Sequence, residues 1–141
     1  MTAITMRPRL SLEGARSLLD AARRHAESLG VAVVIHVSDP AGDPLTMERM
    51  DGSPTFSLTV AAKKAWTAAA AGAPTTELAT DFNADPALLH GVAGNVEGLI
   101  TVGGGVPVLV GGEVAGAIGV SGATEAQDHE IAAAAVAALD V

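Results

Sequence analysis

Along Ser11–Gly30, Ala15, Leu18, Leu19, Ala22, Ala26 and Leu29 recur at helical spacing, which predicts an amphipathic helix. Ser11 stands as its N-cap and Gly30 as its stop; Gly14 occupies the place where a capping box would carry Glu or Gln. Val31–Asp39, "VAVVIHVSD", is β-branched and apolar on both faces, the pattern of a buried strand. "PAGD" predicts a turn and Pro44–Met50 the returning strand of a hairpin. A second helix is expected from about Thr55 to Gly72, with Ser53 as cap and Pro54 at the first helical position. From Ala73 to Gly98 the pattern weakens to short helical turns within a long connection.

Strand patterns return at Leu99–Val102, Val106–Val110 and Glu113–Val120, the last two joined by the two-residue turn Gly111-Gly112. A final helix opens at Thr124, where Gln127 completes a capping box. The order is helix, two strands, helix, connection, three strands, helix. Hairpins imply antiparallel pairing, so the expected fold is α+β: one domain over residues 1–141, with flanking helices on a sheet of about five strands.

Composition narrows the classes. Eight Lys and Arg against sixteen Asp and Glu give a net charge of −8, with no basic patch to follow a nucleic-acid backbone. No apolar run is long enough for a membrane span, and the first ten residues hold no secretion-like segment, so a cytoplasmic protein is expected. Without cysteine there are no disulfides or thiolate metal sites, and no two histidines have metal-ligand spacing. The apolar half is mostly Ala and Val, with two Phe, one Trp and no Tyr. Such small side chains bury little area each, which favours self-association as a homo-oligomer.

Eleven of the sixteen glycines fall between Gly91 and Gly122, and that concentration is the sequence's main puzzle. No Lys-Ser or Lys-Thr follows them and no helix starts there, so neither a phosphate loop nor a dinucleotide fingerprint is present. Gly103, Gly104 and Gly105 leave two readings open: tight packing, or amides exposed to an anionic ligand. Asp128 shares a helix face with Ile131, Ala135 and Ala138, which aims a carboxylate toward the sheet. Lys64 lies on a stripe of small residues and either snorkels or reaches into a pocket. His129 flanks Asp128, Arg49 and Asp51 close the second strand in position for a local salt bridge, and Ser121 ends the glycine-rich hairpin. His36, in the middle of the first strand, is the histidine most open to a functional role, with a structural one as the alternative.

Five stretches together resemble the GlcG/HbpS family of heme-binding-like proteins, a domain also found at the C-terminus of PduO-type adenosyltransferases. They are "LSLEGARSLLDAA" from Leu10, "RMDG" from Arg49, "AAKKAWTAAA" from Ala61, the Gly103–Ala123 hairpin, and the acid of "EAQDHEIA". The resemblance covers almost the whole chain in family order. It implies an antiparallel five-stranded sheet with flanking helices, and dimers or larger rings. For some members it also implies heme, although no axial ligand carries over.

Two functions follow. The first is an oligomeric binding protein for heme or a related tetrapyrrole, with His36 as axial candidate. The second is a small tautomerase, isomerase or lyase acting on a carboxylate or oxo-acid. In that reading Lys64, Asp128 and His129 are catalytic, and Gly103, Gly104, Gly105, Ser121, Arg49 and Asp51 hold a small anionic ligand. A structural accessory subunit is a third reading.

Overall fold

The computed structural model describes all 141 residues. Helix α1 (Leu12–Leu29) starts where Ser11 Oγ accepts from the Gly14 amide and stops at Gly30, whose left-handed φ of 70° returns the chain. Strands β1 (Val34–Ser38) and β2 (Pro44–Arg49) form the first hairpin. Helix α2 covers Ser57–Ala71, two residues later than the expected start. Ser53 does not cap it, because its hydroxyl donates to the Met50 carbonyl within the preceding turn.

The connection is more ordered than its sequence suggests. Helix α3 (Thr75–Ala84) fills ten residues of it, followed by the short α4 (Pro86–Leu88) and a π-helical turn at Leu89–Ala93. Strands β3 (Gly105–Val110) and β4 (Glu113–Ser121) make the second hairpin, and α5 (Glu125–Ala138) closes the chain under the complete Thr124–Gln127 capping box.

The sheet is antiparallel, in the order β2-β1-β4-β3, and it has four strands, not five. The missing one is Leu99–Val102. Its Ile100 amide donates to the Thr67 side chain of α2, and that hydroxyl in turn donates to the Gly98 carbonyl, so the segment is bound to a helix instead of a strand. At the edge of β3 itself, the Thr75 hydroxyl accepts from the Gly105 amide.

The two faces of the sheet differ in chemistry. On one, α1 and α5 lie side by side over a core that includes Leu18, Ile35, Val37, Ile118, Val120 and Ile131. On the other, α2 crosses β1, β4 and β3 on a cluster of Ala68, Ala69 and Ala117. Gly119 has no room for a Cβ there, because the Ala61 carbonyl and the Ala65 amide rest directly on it. Small residues bring α2 so close that polar groups must be satisfied inside: Ser57, Lys64, Thr67, Thr75 and Ser121 are all buried.

Candidate functional site

Lys64 is the largest fully buried side chain of the protein. Its stem runs past the end of β4, and its ammonium donates to the Val120 carbonyl at 2.9 Å and to Asp128 Oδ2 at 3.0 Å. Asp128, in the first turn of α5, accepts from the Ala123 amide with its other oxygen at 3.0 Å. Burial pushes the Asp128 carboxyl above the ordinary carboxylate range, with Lys64 and the Ala123 amide pulling against it. The sequence reading of an inward-aimed acid near a cation thus has its geometry, at 2% and 4% side-chain exposure.

The triple glycine belongs to the same construction. Gly104 has φ 130°, and a Cβ there would lie 2.8 Å from Lys64 Nζ. At Gly105 a Cβ would run into the Lys64 carbonyl. Of the two readings of these glycines, tight packing describes Gly104 and Gly105, whose open faces are taken up by the lysine and its helix. The Gly103 amide donates to Glu125 Oε1 at 2.7 Å and the Gly105 amide to Thr75 Oγ1 at 2.9 Å, so both are spent within the chain. The reason is steric: glycine here admits α2, Lys64 and Glu125 against bare backbone.

Of the remaining candidates, Ser121 is buried, and its hydroxyl donates to Ser57 Oγ at 3.2 Å. His129 borders a groove between α3 and α5, with its Nδ1 buried and unpartnered. Arg49 and Asp51 are exposed at the end of β2 and make no salt bridge with each other; Glu48 beside them is bound by Arg23 at 2.8 Å.

His36 stands apart from all of these. It faces the α2 side of the sheet, opposite Met47 on β2 and Gly119 on β4. With Pro44, Ala62, Lys63 and Trp66 it lines an open groove of about 350 Å³ whose surface is almost wholly apolar. Burial alone lowers its pKa below the usual 6.5, so the ring is neutral at physiological pH. Trp66 is the residue that sequence reasoning passed over. Gly42 and Gly98, both at φ 88°, lie against its ring, and at Gly42 a Cβ would overlap it. The available signal was the lone tryptophan in an alanine-rich helix, since both glycines lie more than twenty residues away in sequence.

Residues 10–137 match the family model described as "Haem degrading protein HbpS-like". The chain belongs to the HbpS-like family. A corrinoid adenosyltransferase PduO of Citrobacter freundii is 37% identical to it over 143 residues, spanning 99% of this chain but 42% of the larger protein. Among solved structures, Klebsiella pneumoniae ORFY superposes with a TM-score of 0.90 at 31% identity, covering 99% of both chains. A PduOC:heme complex superposes at 0.86 with 36% identity, covering 94% of this HbpS-like chain and 96% of the other. The α+β layers described above are thus those of a family of known structure. No helix of this member is long and apolar enough to cross a membrane.

Proposed function

We propose that the protein binds heme in the groove between α2 and the β1–β2 hairpin, with His36 as the iron ligand. The observation that carries this reading is a desolvated, neutral imidazole lining an apolar groove walled by the chain's one tryptophan. A metal needs the unprotonated ring, and burial supplies it. The plane of a porphyrin needs apolar contact, which Trp66, Pro44 and Ala62 offer. Lys63, exposed at the rim, is placed to meet a propionate. The donor set and the walls fit the group; bound iron would supply redox or ligand-exchange chemistry, and the chain would supply the axial base and exclusion of water on one side. The heme complex of the PduO domain and the family's own description support the choice of ligand.

Self-association belongs to the same reading. The groove is open on one side, and two exposed apolar residues, Met47 on β2 at 50% and Phe56 at the N-cap of α2 at 69%, stand on the elements that form it. A second copy covering those residues would shield the outer face of the ligand.

Hemin titration tests the proposal. A saturable Soret shift with parallel quenching of Trp66 fluorescence is expected, and His36→Ala should remove the shift while the fold persists. A His36→Ala protein that binds hemin as the parent does would refute the assignment.

A further inference from the structure

A second groove, of about 740 Å³, runs between α3 and the first turns of α5 and shares no residue with the His36 groove. Its polar lining comes from Thr76, Thr80, Asn83, Thr124, Glu125 and His129. Half of these groups are already engaged. The Thr80 hydroxyl donates to the Thr76 carbonyl, the Asn83 amide exchanges hydrogen bonds with Thr101, and Thr124 is held by Gln127. Three are left over: the Thr76 hydroxyl, Glu125 Oε2 and the His129 ring, none of which has a hydrogen-bond partner within the chain.

Each of the three offers something different. Glu125 Oε2 only accepts, and its carboxylate is held in place by the bond from the Gly103 amide at 2.7 Å. Thr76 both donates and accepts; its methyl group and the Glu125 side chain converge over Gly103, where a Cβ would lie 2.7 Å from one and 3.0 Å from the other. The Nδ1 of His129 is sealed from solvent without a partner. A proton placed there would be a buried, unsatisfied donor, so the favoured tautomer carries its proton on Nε2, which is then the ring's hydrogen-bond donor.

Charge selects among ligands. No Lys or Arg lines the groove, and Glu125 is its one formal charge. A carboxylate or phosphate ligand would meet repulsion without a counter-ion. A cation would satisfy Glu125 but set its donors against His129. A hydroxyl group, which donates and accepts, matches all three.

We propose that this groove is a binding site for a small neutral polyol, with Glu125, Thr76 and His129 as its recognition groups. The site is independent of the heme reading. It stands on the leftover hydrogen-bonding groups, whatever the His36 groove holds.

Erythritol, succinate and putrescine are four-carbon probes that differ in charge, and backbone-amide NMR can follow all three. Erythritol should give saturable shifts, in the millimolar range, centred on Gly103, Thr76, Glu125 and His129. Glu125→Gln keeps an acceptor for Gly103 but replaces the free oxygen by a donor, and Thr76→Val removes the hydroxyl at nearly constant shape. Each should weaken erythritol about tenfold at unchanged melting temperature, the loss expected for one hydrogen bond. Should one variant fold poorly, the other decides. His36→Ala should leave the shifts intact, which separates this site from the heme groove. Absence of saturation, parent-like binding by a folded variant, or tighter binding of succinate or putrescine would each overturn the assignment.

Discussion

Lys64 and Asp128 hang from helices on opposite faces of the sheet, yet their charged ends meet 3.0 Å apart around the end of β4. The pair is a bolt through the molecule: it joins α2 to α5 and ties both to the β4 carbonyl at Val120. Removing one partner of a buried pair strands the other charge in a low-dielectric interior. Lys64→Met should therefore cost about 3–5 kcal/mol in urea or thermal unfolding, whereas the double change Lys64→Met, Asp128→Leu should restore much of it. The sign with pH is fixed. Without Lys64 the Asp128 carboxyl rises further above its ordinary value of 3.8, so protonation relieves the single variant. Its deficit should shrink as pH falls toward that range. A deficit that is the same at every pH would refute this account.

The glycines that admit the bolt should be less replaceable than the glycines of the hairpin turn. Gly104→Ala forces an L-residue to φ 130° and places a methyl group against Lys64 Nζ and the Val120 carbonyl. Gly111→Ala, at φ 58° in the β3–β4 turn, meets nothing within 4 Å. The turn change should cost about 1–2 kcal/mol, the ordinary penalty for a left-handed residue. The Gly104 change should cost visibly more in the same unfolding experiment, because strain and overlap add. Equal losses would mean that the close approach at Gly104 is readily relieved.

How far these features were legible from sequence follows from their range. Both hairpins, the limits of α1 and the Thr124–Gln127 capping box rest on neighbours a few residues apart, and periodicity or turn chemistry revealed them. Asp128 was legible as an inward acid because helical spacing put it in line with Ile131 and Ala135, both buried. Sequence reasoning set it beside Lys64 only as part of one ligand site; their direct pairing was not legible, because Lys64 lies 64 residues away on another layer. Leu99–Val102 reads as a strand locally, yet a hydroxyl on α2, more than thirty residues earlier, takes its Ile100 amide. Trp66 looked like one large residue in an alanine helix until Gly42 and Gly98 were folded against it.

The α5 capping box offers a local test that avoids the buried pair. Thr124 Oγ1 accepts from the Gln127 amide, and Gln127 Oε1 accepts from the Thr124 amide at 3.2 Å. Thr124→Ala should cost about 1 kcal/mol, measured by chemical denaturation. Since α5 carries Asp128, a larger loss that vanishes in the Lys64→Met, Asp128→Leu background would show that the cap also positions the acid.

The His36 ring gives the clearest pH signature. Its pKa is lowered in the folded protein by burial, while the unfolded chain titrates near 6.5. Below 6.5 the unfolded state therefore takes up a proton that the folded state refuses, and stability falls as pH drops from there to the folded-state pKa. Above 6.5 both forms are neutral and the residue contributes no slope. His36→Gln should accordingly flatten the stability profile between pH 6.5 and the lower value, leaving the alkaline side unchanged. The same depression keeps the ring unprotonated under mildly acidic conditions, so hemin binding by the parent should persist below pH 6.5. Two-dimensional NMR of the imidazole, followed by hemin titration at each pH, measures both quantities on one sample. A ring that titrates at 6.5 or above would refute the depression by burial and with it the expected hemin binding by a neutral ring below pH 6.5.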